Sequence, residues 1–97
     1  MRTIDDIKKT IKEYMDVLRD KYAVKEIGLF GSYLREEQKP TSDIDVLVDF
    51  EDGADLFTLV GLAMFLEEKL GIKVDVVTKR ALRKELKEQV LKEVVSL

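Results

Sequence analysis

The sequence predicts an α/β (α+β) domain, in which a small mixed sheet of three to four strands carries helices mainly on one face. Three short apolar runs support this prediction, at residues 24–30, 43–50 and 72–77, each bounded by turn-forming residues. The second and third runs are separated by a segment of helical length, so we expect them to pair in parallel. The first run ends where the second begins and should therefore run antiparallel to it.

Along the chain, helices are predicted before, between and after these strands. Residues 4–22 place apolar side chains every three or four positions, with Thr3 or Asp5 as a possible N-cap. Residues 56–70 follow a cap at Asp55 and end at Gly71. A short helix is expected over 32–38 and a last helix over 80–94.

The helix at 56–70 is apolar nearly all round, which is typical of a helix buried on more than one side. Its apolar excess could also be a partner surface. The simplest expectation places the large aromatic and methionine side chains in the core: Tyr14, Tyr22, Phe57, Met64 and Phe65.

Length and composition limit the class of protein. Ninety-seven residues are expected to form one domain, 1–97. A net charge of −3 argues against stable nucleic-acid binding, which needs a basic face. The absence of Cys and His excludes disulfides, thiolate chemistry and histidine-based catalysis. No apolar run approaches the roughly 20 residues that cross a bilayer, and no signal-peptide core is present, so we expect a cytoplasmic protein without membrane contact.

A candidate phosphate site lies where the first strand ends, at Gly31-Ser32. Glycine lets the backbone approach a phosphate closely, and a helix beginning there would direct its free N–H groups at the same phosphate. Ser32 could equally be an ordinary helix cap. Arg35 is either a phosphate contact or a surface residue paired with a neighbouring glutamate.

Three aspartates form the candidate metal site. Asp43 and Asp45 follow Gly31-Ser32 after a gap of ten residues, and their side chains should emerge on one face of the second strand. Asp75 is fourth in the third run, so parallel pairing would bring it level with Asp45. Neighbouring carboxylates repel each other unless a cation offsets them. The alternative is that all three are solvated strand positions, but the spacing favours a site for a metal-bound nucleotide.

These residues resemble the nucleotidyltransferase signature of the DNA polymerase β superfamily: Gly31-Ser32, a ten-residue gap, Asp43-Ile44-Asp45, and Asp75 between valines. In length and order the chain is similar to the minimal nucleotidyltransferase (MNT) proteins, the antitoxin halves of HEPN/MNT toxin–antitoxin pairs. Many relatives carry Arg directly after Gly-Ser, where this chain has Tyr33. Arg35 and Glu37 match residues that often follow.

The resemblance implies a polymerase-β-like palm fold, two Mg²⁺ ions, and transfer of AMP from ATP to a hydroxyl, usually of a tyrosine, on a partner HEPN toxin. It implies that Asp43, Asp45 and Asp75 are the catalytic, metal-binding carboxylates. Nucleotide phosphates would be held by Gly31 and Ser32, with Arg35 as a further contact. The chain would then act as a type VII-like antitoxin, completed by its partner or by a homo- or hetero-oligomer.

Two other functions fit the same sequence. A catalytically silent antitoxin could neutralise its toxin by direct binding, although three aligned acids then have no purpose. A subunit of a small-molecule nucleotidyltransferase would need a further domain to hold the acceptor, and 97 residues leave no room for one.

Overall fold

The computed structural model describes residues 3–31 and 43–97. Four strands form one mixed sheet in the order β3-β2-β1-β4: β1 Val24–Phe30, β2 Ile44–Phe50, β3 Val74–Thr78 and β4 Val95–Ser96. β1 is antiparallel to β2, and β2 is parallel to β3. The predicted fold class and strand directions are therefore confirmed, although the third strand begins and ends later than the sequence indicated.

The helices are α1 (Ile4–Glu13), α2 (Met15–Tyr22), α3 (Leu56–Leu70) and α4 (Lys84–Glu93), with a 3₁₀ turn at Lys79–Ala81. The predicted helix at 4–22 is divided at Tyr14, which has φ −101° and ψ 10°. The Tyr14 ring meets Phe65 of α3 edge-on, with a centroid separation of 5.5 Å. We attribute the division to this long-range packing, because the apolar period continues on both sides of it.

Local capping explains where two helices begin. Thr3 caps α1 as one half of a capping box, since the Asp6 N–H donates to its hydroxyl at 3.2 Å and its own N–H donates to the Asp6 carboxylate at 3.3 Å. Asp55 and Thr58 form the same arrangement at α3. Gly71 ends α3 with φ +71°, as predicted.

The core lies between one face of the sheet and helices α1–α3. It contains Ile7, Ile11, Leu18, Val24, Ile27, Leu29, Ile44, Val46, Val48, Leu62, Leu66, Leu70 and Val74, all buried. Side chains alternate along β2. Ile44, Val46 and Val48 therefore face the helices, and Asp45, Leu47 and Asp49 face the other side of the sheet. The side of the sheet with α1–α3 is called the core face below, and the other side the acid face.

The end of the chain covers part of the acid face. β4 pairs with β1 at Gly28 and Leu29, and a side chain at Gly28 would meet Val94 Cγ2 at 2.7 Å. Leu47 is also buried, although it faces away from the core cluster. The helices therefore lie mainly, but not entirely, on one face.

One prediction about the core is wrong. Phe57 and Met64 of α3 are 85% and 66% exposed and do not join the core. Tyr22 and Phe65 do pack against it, with their rings 5.3 Å apart. The outer side of α3 is apolar without being buried, so the alternative of a partner surface becomes the better interpretation of its composition.

The helix predicted at 32–38 and the loop predicted at 39–42 lie outside the described residues. Within 3–31 and 43–97, no helix has the length and apolar character needed to cross a membrane.

Candidate active site

The acids of two neighbouring strands meet at one end of the sheet. In the parallel pairing of β2 with β3, Asp45 is the register partner of Asp75, which is the level arrangement that strand counting predicts. Asp43 immediately precedes β2 and lies two residues from Asp45, so its side chain leaves the chain on the same side. The backbone thus brings three carboxylates to one edge of the acid face.

The solvent exposure of these residues agrees with a site that is open to a ligand. Asp43 and Asp75 are exposed and Asp45 is half-buried. Their neighbour Ile44 has no exposed surface, because it points into the core. The rigid apolar side of β2 therefore fixes the position of the acids on its other side.

Gly31 adjoins the acids at the end of β1. Phe30 is the register partner of Asp45, so the next residue lies beside that carboxylate. Gly31 is buried and has φ +89°, and a Cβ built on it would overlap the side chain of Asp45, with Cγ at 2.9 Å. A glycine is required here for two reasons: the left-handed backbone and the close approach of Asp45.

Glu67 of α3 supports the same edge and was not singled out by the sequence. Its Oε2 accepts a hydrogen bond of 3.0 Å from the backbone N–H of Val74, the residue before Asp75. On the other side of β3, the Ile44 N–H donates to the Lys73 carbonyl at 3.0 Å. The start of this edge strand is thus held from both sides. An acid in the last turn of a helix gives no signal of such a role in the sequence.

Ser32 and Arg35 lie outside the described residues, as do Tyr33 and Glu37. Their predicted contacts with phosphate remain predictions. Of the predicted site residues, the structure places Gly31 against Asp45 and Asp75 level with Asp45 on the neighbouring strand.

The donor atoms at this edge suit Mg²⁺, a hard cation that prefers carboxylate oxygens. Among residues 3–31 and 43–97, however, no three acidic side chains converge closely enough to form a ready-made metal cage. Mg²⁺ is commonly bound by one or two carboxylates together with substrate phosphates. The binding of Mg²⁺ by Asp43, Asp45 and Asp75 therefore remains a prediction, which rests on the chemistry of carboxylates and on the place of these residues on two neighbouring strands.

Comparison with known proteins agrees with this geometry. Residues 11–97 match the model of the Nucleotidyltransferase domain family. The chain is 42% identical over 95 residues to the protein adenylyltransferase MntA of Thermococcus cleftensis, covering 98% of this chain and 96% of that protein.

Two solved structures extend the comparison to the fold. One, assigned as a minimal nucleotidyltransferase, superimposes with a TM-score of 0.87 at 32% identity, covering 99% of this chain and 97% of that one. The other is the complex of a tri-AMPylated HEPN toxin with its MNT antitoxin from Shewanella oneidensis, with a TM-score of 0.67 at 28% identity and coverage of 93% and 70%.

The match to the family model spans most of the chain, and the acids and glycine of the family signature meet at one edge of the sheet. The chain belongs to the nucleotidyltransferase domain family and, within it, is similar to the minimal nucleotidyltransferases.

Proposed function

We propose that this chain is an Mg²⁺-dependent protein adenylyltransferase, which transfers AMP from ATP to a hydroxyl, a tyrosine in the first instance, of a partner HEPN toxin. It would act as a type VII-like antitoxin in the cytoplasm. The observation that carries the proposal is the register of Asp45 with Asp75 across two parallel strands, beside a glycine that the carboxylate of Asp45 closely approaches. The MntA relative and the AMPylated toxin complex support the same assignment.

In the proposed reaction the acceptor oxygen forms a bond to the α-phosphorus of ATP, and the bond from that phosphorus to the bridging oxygen of pyrophosphate breaks. Two Mg²⁺ ions would supply charge stabilisation for the triphosphate and the leaving pyrophosphate. Asp43, Asp45 and Asp75 would hold them. Little covalent chemistry is left to the protein, so its task is mainly to position the reactants.

The acceptor hydroxyl must also lose its proton. The chain contains no histidine, so a carboxylate is the available base. Asp75 is exposed and lies on β3, the edge strand of the sheet, where a hydroxyl of a partner protein can approach it. We assign proton acceptance to Asp75 and substrate positioning to the backbone at Gly31, with Ser32 and Arg35 as proposed phosphate contacts.

The site lies on an open edge of a small protein, so the partner would supply much of the wall around the acceptor. Incubation with labelled ATP, Mg²⁺ and the purified toxin tests the proposal. We expect label on the toxin, none when Mg²⁺ is chelated, and none with Asp45→Asn. Label transfer that persists in Asp45→Asn would exclude the assigned site.

A further inference from the structure

A lysine, Lys73, stands beside the three aspartates of the candidate active site. Asp45 and Asp75 are level with each other on the parallel strands β2 and β3. The residues two positions earlier on the two strands, Asp43 and Lys73, form the next row. Neighbouring strands lie about 4.8 Å apart, and residues two positions apart on one strand about 6.6 Å apart. Carboxylates therefore occupy three corners of a small rectangle, and Lys73 occupies the fourth.

The side chain of Lys73 belongs to the acid face. Its neighbours in the chain, Ile72 and Val74, both pack against the core, and side chains alternate along an extended strand. Lys73 between them is exposed. Its backbone carbonyl accepts a hydrogen bond of 3.0 Å from the Ile44 N–H. The pairing of the two strands therefore extends to Lys73 and fixes the point at which its side chain leaves the backbone.

The ammonium group of Lys73 is not used to stabilise the fold. A lysine next to several aspartates would ordinarily pair with one of them. Within residues 3–31 and 43–97, Lys69, Lys79 and Arg80 are each paired with a carboxylate, whereas Lys73 forms no ion pair. Its positive charge therefore remains available to a ligand of the site.

The chemistry of this corner suits a phosphate group. An ammonium group cannot coordinate Mg²⁺, so in the proposed site Lys73 would contact what the metal ions carry. The triphosphate of ATP and three carboxylates together hold more negative charge than two Mg²⁺ ions neutralise. Lysine is a common phosphate ligand and acts as a compact positive charge. A cation at the fourth corner therefore offsets the excess of negative charge.

The position of Lys73 on β3 selects one phosphate of the nucleotide. In the proposed reaction Asp75 takes the proton of the acceptor oxygen while that oxygen bonds to the α-phosphorus, so the α-phosphate lies next to Asp75. Gly31 lies beside Asp45 at the end of β1, on the other side of β2, and is the proposed contact for the rest of the triphosphate. Lys73 is thus on the side of the phosphate that is attacked.

We propose that Lys73 binds the α-phosphate of the nucleotide and offsets the negative charge that develops there during transfer. The identity of the nucleotide rests on the proposed function, whereas the binding of a phosphate at the fourth corner does not. An interaction that strengthens as charge develops lowers the barrier of the chemical step. Lys73 should therefore affect kcat more than the affinity for ATP.

The first test compares the binding of AMP and ATP, each with Mg²⁺, by NMR titration. AMP carries the α-phosphate alone, so Lys73→Gln should weaken both ligands by a similar factor of about tenfold. Lys73→Arg keeps the charge and should retain most of the affinity. The matched control is Lys25→Gln, because Lys25 is also an exposed strand lysine but lies at the opposite end of β1 from Gly31; it should bind like wild type.

The second test measures label transfer to the purified toxin with the same variants. We expect kcat to fall about 10²-fold in Lys73→Gln, the range for loss of one charge-stabilising donor, and to recover largely in Lys73→Arg. Mg²⁺ binding without nucleotide should be unchanged or tighter in Lys73→Gln, because a positive charge has been removed. Asp43→Asn should weaken it. The two substitutions therefore act in different directions on the metal, and thermal unfolding should remain that of the wild type in Lys73→Gln.

Each other result excludes part of the proposal. Wild-type binding of AMP and ATP by Lys73→Gln would overturn it and leave a solvated lysine. Weaker binding of ATP with normal binding of AMP would exclude the α-phosphate as the ligand. A raised KM for the toxin with normal nucleotide binding would assign Lys73 to the acceptor instead. A wild-type chain that binds AMP through Lys73 but labels no toxin would contradict the proposed function and leave the phosphate contact intact.

Discussion

The carboxylate of Asp45 lies directly beside the Cα of Gly31, in the space that any side chain at position 31 would occupy. The sequence alone suggests that this glycine is needed for the approach of a phosphate. The structure adds a reason internal to the protein, because the glycine makes room for the acid.

Gly31→Ala should therefore destabilise the fold as well as disturb the site. A left-handed backbone at φ +89° costs a non-glycine residue about 1–3 kcal/mol, and overlap with Asp45 adds to this. We expect a lower free energy of unfolding in urea and weaker ATP binding. In an Asp45→Ala background the overlap with the carboxylate disappears and a tight contact with Cβ of residue 45, at 3.2 Å, remains, so the cost of Gly31→Ala should become smaller without vanishing. Equal costs in both backgrounds would show that the two residues do not interact.

Removing one acid of the proposed metal site should stop transfer without unfolding the protein. Asp43→Asn and Asp45→Asn keep the size of the side chain and lose its charge. In metal-free buffer both variants should be as stable as wild type or slightly more stable, because repulsion among the carboxylates is relieved. Mg²⁺ titration and label transfer are measured on the same samples, with Asp49→Asn as the control at an acid of β2 outside the site. Normal transfer in Asp43→Asn would remove that residue from the site.

Glu67 is expected to hold the strand that carries Asp75. Glu67→Ala leaves the partly buried Val74 N–H without its carboxylate acceptor, a loss of about 1–3 kcal/mol. Glu67→Gln keeps an oxygen acceptor and should retain most of the stability. Hydrogen exchange at the Val74 amide should accelerate in the alanine variant and remain slow in the glutamine variant. Unchanged exchange in Glu67→Ala would mean that the hydrogen bond does not protect this amide.

Local signals made much of the fold predictable. The bounds of β1 and α3, the cap at Asp55 and the end at Gly71 follow from alternation, helical period and capping chemistry. The level placement of Asp45 and Asp75 needed only strand counting and the parallel crossover. The bounds and caps depend on residues that are close in sequence, while the pairing of Asp45 with Asp75 follows from the general rule for parallel crossovers.

Features that depend on distant contacts could not be predicted. The break at Tyr14, which we attribute to packing on Phe65, has no local signal, and Glu67 acquires its role only when α3 meets β3. The exposure of Phe57 and Met64 illustrates another limit, since hydrophobicity alone does not distinguish a core side chain from an exposed one. β4 has two residues, too few for a pattern to indicate.

The cap at Asp55 makes the start of α3 sensitive to acid. Hydrogen bonds from the backbone N–H and the hydroxyl of Thr58 hold the pKa of Asp55 below its ordinary value. A lowered folded pKa means that this contribution to stability is present above the unfolded pKa, about 3.8, and is lost as the pH falls through the folded value. Asp55→Asn still caps but cannot titrate. We expect the stability difference between wild type and Asp55→Asn, measured by thermal unfolding, to be constant above pH 5 and to move in favour of the variant below pH 4. A difference independent of pH would contradict this role.

Asp75→Asn separates an enzymatic antitoxin from one that acts by binding alone. The substitution keeps shape and volume while removing the proposed base, and a single acid is a small part of a protein–protein interface. The variant should bind the toxin with near wild-type affinity, whereas transfer should fall by about 10²-fold or more, the range for loss of a general base. Survival of cells that express the toxin together with each variant then distinguishes the two mechanisms. If AMP transfer neutralises the toxin, protection is lost together with transfer in Asp75→Asn and is retained in the control Asp49→Asn. Full protection by an Asp75→Asn protein that binds the toxin but transfers nothing would establish neutralisation by occlusion and reject the adenylyltransferase mechanism.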